Sequence, residues 1–230
     1  MSSGTTSQPN KHVNASAQLE PPMLGSAPTD LVWYAAYGSN MHRARLDYYL
    51  QGGQPPGSAR TYPGCRDSTP PLRAAGVMMP GRMYFALESM AWTGGMAFYD
   101  PTASGLVAAR AYLVTSAQFS DIAAQEMYQE PGEDLDLTEV LATGRSEIGP
   151  GRYETMIYAG CLDNFPVLTF TAPWKLDDVE WRRPAERYLR HLASGLAEAH
   201  GWSTAEIATY LAECPGVQTE WTAEEVEQLI

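Results

Sequence analysis

The chain has 230 residues, 44% hydrophobic and 10% aromatic, enough for one compact domain with a real core. Its net charge of −12 argues against the basic face of a nonspecific nucleic-acid binder, no apolar run reaches the length of a membrane span, and the first residues lack the apolar core of a secretion signal. The three cysteines, Cys65, Cys161 and Cys214, are odd in number and far apart with no CxxC pair, which disfavours a disulfide framework or zinc knuckle and makes a reducing, cytoplasmic setting the expectation.

Residues 1–29 are rich in Ser, Thr, Gln, Asn and Pro and have few large apolar groups. They bury too little to offset the entropy of ordering, which predicts a disordered tail ahead of one domain over 30–230. "LVWYAAY" (31–37) reads as a short buried strand. Asn40 is placed to cap a helix over Met41–Leu50 that Gly52-Gly53 ends. From 51 to 80 the chain is crowded with Pro and Gly, which predicts a long functional or mobile loop. "GRMYFAL" (81–87), "GGMAFYD" (94–100) and "LVAARAYLV" (106–114) read as strands, with "DPTASG" as a hairpin turn between the last two.

Thr115 with Gln118 forms a capping box that starts a helix. "PGEDLDL" and "SEIGPG" interrupt, and strand character returns in "YETMIYAG" (153–160) and "FPVLTFTA" (165–172). The end is helical. Ala185, Leu189, Leu192 and Leu196 share one face of a helix that Gly201 terminates, and Ser203 with Glu206 and Thr222 with Glu225 are two more capping boxes. Strands and helices in mixed order favour an α+β fold over a doubly wound parallel sheet.

Two local patterns carry chemistry. Tyr37-Gly38-Ser39-Asn40 turns a strand into a helix. Such a turn leaves main-chain N–H groups free at the helix start, a receptor for a carboxylate or a developing oxyanion. An ordinary capped turn would use the same residues. In the next helix Phe119, Ile122, Ala123 and Glu126 fall at i, i+3, i+4 and i+7, so a carboxylate shares the apolar face near the helix C-terminus. Burial and the dipole both raise its pKa toward the range of a general base, provided that the helix extends to residue 126; Glu130 is a rival in a loop-like stretch. Ser39 is not in a G-x-S-x-G setting, and none of His12, His42, His191 or His200 is tied to it by spacing. His191 and His200 lack ligand spacing, so no metal is implied. Arg43 and Arg45 are able to hold a carboxylate but read as surface residues, and Trp92, Trp174 and Trp181 as core or pocket wall.

Together the two patterns resemble the gamma-glutamylcyclotransferase family. The likeness runs discontinuously from about residue 31 to 213: an apolar strand leading into Tyr37-Gly38-Ser39-Asn40, a helix "TSAQFSDIAAQE" ending on Glu126, a strand opened by Tyr153, and a helix pair in "YLRHLASGLAEAHGWSTAEIATYL". The resemblance implies a small mixed β-barrel with flanking helices. It also implies a cyclising transferase or lyase that needs neither metal nor other cofactor. Such an enzyme converts a gamma-glutamyl amide or peptide into 5-oxoproline and a free amine or amino acid. It assigns Glu126 as the base and Tyr37, Gly38, Ser39, Asn40 and Tyr153 as substrate-binding, with a small-molecule partner, no nucleic acid, no membrane and no implied oligomeric state. Met127 stands where many members have Gly, and 51–80 and 128–150 are longer than in the smallest members. A non-catalytic ligand-binding protein on the same fold is the alternative, and a serine hydrolase using Ser39 a third.

Overall fold

The computed structural model describes residues 16–56, 60–89 and 93–230, so His12 and Trp92 lie outside the described residues. The first apolar run is strand β1 (Leu31–Ala36), in the interior of a six-stranded sheet. From edge to edge the sheet runs β2 (Arg73–Pro80), β5 (Leu106–Thr115), β1, β8 (Phe165–Thr171), β7 (Thr155–Leu162) and β6 (Arg145–Glu147). Strand β1 is antiparallel to β5 and parallel to β8. Val32, Trp33 and Ala35 are completely buried, as a continuous apolar run predicts for a strand covered on both faces.

Strands β3 (Arg82–Ala86) and β4 (Met96–Asp100) form a separate antiparallel ribbon. The hydroxyl of Thr171 on β8 ties it to the main sheet: it accepts from the Tyr99 N–H at 3.0 Å and donates to the Tyr99 carbonyl at 2.8 Å. "DPTASG" is therefore a crossing from the ribbon to β5, because β4 pairs with β3 and β5 with β1 and β2. Strand β2 lies inside the stretch expected to be loop; its register with β5 over eight residue pairs outweighs the local Pro and Gly content.

The helices are α1 (Arg43–Gln51), α2 (Ser116–Glu126), α3 (Thr138–Thr143), α4 (Glu186–His200), α5 (Thr204–Ala212) and α6 (Ala223–Leu229). All three expected capping boxes are formed, at Thr115, Ser203 and Thr222. Leu189, Leu192 and Leu196 are fully buried, and Ala185 is the residue that precedes α4. Asn40 does not cap α1. A 3-10 turn (Ser39–Met41) intervenes and His42 occupies the cap position. That turn is pressed onto α4 at Gly195, where any Cβ would come within 2.5 Å of the Met41 Cβ.

The mixed α+β class with flanking helices stands, but the sheet is open in its hydrogen bonding, with edges at β2 and β6 rather than a closed barrel. The tail expected over 1–29 divides. Residues 1–15 lie outside the described residues, whereas the segment from 16 onward is laid against the sheet. The Ala17 N–H bonds the Gly76 carbonyl at 2.8 Å, and Glu20 and Cys161 exchange bonds of 2.9 and 2.8 Å. One short strap thus reaches from β2 to β7 across the opening. Gly160, with φ of +149°, provides the space, since a Cβ there would meet the Glu20 carbonyl at 2.6 Å. No helix among the described residues is long and apolar enough to cross a membrane.

Candidate active site

The end of β1, the 3-10 turn after it and the C-terminal end of α2 meet at one cleft. All six expected site residues, Tyr37, Gly38, Ser39, Asn40, Glu126 and Tyr153, line it. Helix α2 does extend to residue 126, so Glu126 stays on the face begun by Phe119 and Ile122, both completely buried. Burying two such side chains contributes about 1.5–3 kcal/mol each, enough to fix the rotation of the helix and aim the carboxylate inward. Glu130, the rival, is exposed and lines no part of the cleft.

Asn40 is buried, and its Nδ2 donates to Glu126 Oε1 at 3.0 Å and to the Tyr34 hydroxyl at 3.3 Å. Its Oδ1 has no partner among the described residues. The first N–H groups of the turn have no side-chain cap, and its residues Ser39 and Asn40 line the same cleft as Glu126. Gly38 has φ of −100° and is not strained; its missing side chain keeps the cleft open next to the Tyr188 hydroxyl, which a Cβ would meet at 3.4 Å. Tyr37 and Tyr153 are walls. Their hydroxyls donate to the carbonyls of Phe170 (3.0 Å) and Ala97 (3.1 Å), and the Tyr153 ring stacks on Phe98 at 5.5 Å. Tyr153 precedes β7 in a turn, two residues before the strand begins.

Burial raises the pKa of Glu126, and the Tyr49 hydroxyl, the guanidinium groups of Arg45 and Arg60, and the Asn40 amide oppose the rise. The site thus withholds water from the carboxylate while supplying a few charges and donors that keep ionisation accessible. Burial also pushes Tyr34 and Tyr153 well above the ordinary tyrosine range, so both are neutral hydroxyls at any working pH.

The sequence reading missed most of the outer wall. Arg45, taken as a surface residue, lines the cleft, as do Arg60, Tyr49, Tyr62 and Tyr128. The signal was available for Arg45: Leu46, Tyr49 and Leu50 are the buried face of α1, and Arg45 lies one turn before Tyr49 at the border of that face. Arg43 does face away and pairs with Asp47 at 2.7 Å. Among the described residues no histidine lines the cleft, so Ser39 has no imidazole partner among them. His42 instead bonds Glu198 at 3.0 Å, and His200 bonds Ser16 at 2.8 Å. Trp174 and Trp181 pack with the ribbon instead of lining the cleft. Among the described residues no group of three His, Cys, Asp or Glu side chains is arranged to hold a metal ion.

No family model matches the chain. A curated Arabidopsis thaliana protein named histone deacetylase 5 is 30% identical over 198 residues, 78% of this chain but 30% of that protein, so the chain spans less than a third of that relative. Three solved structures are similar in chain path. A human protein described as uncharacterized shares 14% identity, with TM-score 0.48 and coverage of 87% of this chain and 98% of the other. Bacillus subtilis YkqA shares 18%, with TM-score 0.41 over 81% of this chain and 56% of the other. The third, a protein named gamma-glutamyl cyclotransferase, shares 14%, with TM-score 0.46 over 86% and 97% of the two chains.

Proposed function

We propose that this chain cyclises gamma-glutamyl amides or peptides, releasing 5-oxoproline and an amine. The observation that carries the reading is the Asn40–Glu126 contact of 3.0 Å, which joins the two sequence patterns within one cleft. Glu126 takes a proton from the substrate's α-amine, and that nitrogen attacks the γ-carbonyl of the same molecule. Carbonyl charge that develops is received by the main-chain N–H groups of Ser39 and Asn40. The C–N bond to the leaving group then breaks as Glu126 returns the proton to the departing nitrogen. One bond forms, one breaks, and the proton moves between two nitrogens, so neither water nor another reagent is consumed. Because the attack is intramolecular, the walls of the cleft need only hold the glutamyl chain in its folded, near-attack conformation. The unpartnered Asn40 Oδ1 supports the same reading, since a buried acceptor without a donor is costly and an ammonium or amine N–H satisfies it.

The test is to incubate the protein with a panel of gamma-glutamyl amides and measure 5-oxoproline by mass spectrometry. Turnover by the wild type and its loss in Glu126→Gln is the expected result. Binding without turnover in the wild type would favour a non-catalytic binder, and loss of all activity in Ser39→Ala would favour a hydrolase.

A further inference from the structure

Behind the cleft, four consecutive main-chain carbonyls, those of Gly38, Ser39, Asn40 and Met41, are all held by donors. The turn holds the first two itself: the Met41 N–H donates to the Gly38 carbonyl at 3.0 Å, and the His42 N–H to the Ser39 carbonyl at 3.2 Å. A trans peptide unit is planar, and its N–H points opposite its C=O. Fixing the Gly38 carbonyl therefore aims the Ser39 N–H, and fixing the Ser39 carbonyl aims the Asn40 N–H. The amides that do the fixing belong in turn to the next two peptide units, whose carbonyls are those of Asn40 and Met41.

Those two carbonyls are held from β5. The Tyr112 hydroxyl shares its proton between Asn40 O at 3.0 Å and Met41 O at 2.8 Å, and Arg110 Nη1 donates to Met41 O at 3.2 Å. A third residue comes from α4. Helix α1 has no side-chain cap of its own, and Glu198 supplies one: its Oε2 accepts from the Arg43 N–H at 3.1 Å, and its Oε1 pairs with His42 Nε2 at 3.0 Å. The same carboxylate binds Arg110, so one ion pair grips the end of the turn and the start of α1 together. Glu198 stands one helical turn after Gly195, on the face where Met41 is seated. Tyr112, Arg110 and Glu198 do not line the cleft.

We infer that Tyr112, Arg110 and Glu198 are positioning residues of the cyclisation, setting through the peptide planes of the turn the direction in which the Ser39 and Asn40 N–H groups meet the developing carbonyl charge. The inference rests on the cyclase reading above and extends its machinery to the far side of the turn. Preorganised donors act on the transition state more than on the bound substrate, so a slackened turn lowers kcat while KM holds.

The test uses the gamma-glutamyl amide that the wild type converts fastest, with 5-oxoproline measured well below the melting temperature of every variant. Tyr112→Phe keeps the ring and removes the shared proton; Glu198→Ala removes the cap. Each is expected to lower kcat about tenfold to a hundredfold with KM within about threefold, the scale of a small misplacement of reacting groups. Glu198→Gln keeps an acceptor for the Arg43 N–H and recovers part of the loss. Asp121→Ala, which breaks a buried ion pair with Arg66 away from the turn, gives the comparison for a structural effect: stability falls and kcat is largely kept. Values of kcat within twofold of the wild type in both Tyr112→Phe and Glu198→Ala, or a kcat that falls no further than in Asp121→Ala, overturn the inference while wild-type turnover keeps the cyclase reading intact. If Glu198→Ala does not fold, the near-isosteric Tyr112→Phe decides alone. Absence of 5-oxoproline from the wild type across the whole panel overturns both.

Discussion

Helix α2 carries two polar surfaces side by side, one buried and one half-buried at the cleft, built on opposite terms. On one, Gln118, Asp121 and Gln125 fall at i, i+3 and i+7, all within the interior. Gln118 Nε2 donates to the carbonyls of Asp67 and Thr69, Asp121 accepts from the Arg66 N–H at 2.8 Å and its Nε at 2.9 Å, and Gln125 Nε2 donates to the Tyr49 carbonyl at 3.0 Å. Gln118 and Asp121 fasten residues 66–69 to the helix, and Gln125 fastens α1 to it. On the neighbouring face Glu126 has around it an Asn40 oxygen and an Arg45 nitrogen with no partner among the described residues. A polar interior that satisfies itself is architecture; one that leaves donors and acceptors open is shaped for something that arrives.

The comparison breaks if the two faces respond alike to mutation. The largest effect is expected on the open face: Glu126→Gln reduces turnover by about 10²–10⁴-fold, the usual contribution of a positioned base, while circular dichroism remains that of the wild type. Asp121→Ala is expected to act the other way. It removes a carboxylate that is 1% exposed and frees an arginine that is 40% exposed, so denaturant melts lose about 2–3 kcal/mol while kcat falls far less. A D121A protein of unchanged stability would erase the distinction.

The pH dependence of stability sharpens it further. Because the folded-state pKa of Glu126 is raised above the usual value of 4.5, the native protein holds its proton more tightly than the unfolded chain does. Stability therefore falls as pH rises from the unfolded pKa through the folded one, and the loss remains at neutral pH. Glu126→Gln should consequently melt higher than the wild type at pH 7, with the gap closing below the ordinary carboxylate pKa. Equal melting temperatures across that window in thermal scans would mean that the carboxylate is not desolvated. Ser39→Ala is expected to have the smallest effect, leaving kcat/KM within about one order of magnitude, because the main-chain donors of the turn are unchanged.

Much of this site is legible in the residues themselves. The run Leu31–Tyr37, the capping box at Thr115 and the i, i+3, i+7 placement of Glu126 each follow from local rules, and together they put the carboxylate on the inner face of a helix. What was not legible depends on distant partners. Strand β2 is written in a Pro- and Gly-rich stretch and exists because β5 offers it a full register. Asn40 looks like a helix cap, and only the packing of α2 turns its amide toward Glu126. The short α3 and β6 have almost no local signal, and the polar stripe of α2 looks solvent-facing until the 64–69 segment covers it. Arg60 could not be assigned at all from a loop without periodicity.

The strap at residues 17–20 has a consequence for how the molecule meets its own copies. It is bonded to Gly76 on one side and to Cys161 on the other, so it occupies main-chain groups that would otherwise stand bare on two strands at once. Strand edges of that kind recruit whatever extended chain is nearest. A protein cut at residue 25 would retain its cleft yet expose a template for intermolecular β-pairing, and would be lost to aggregation sooner than to unfolding.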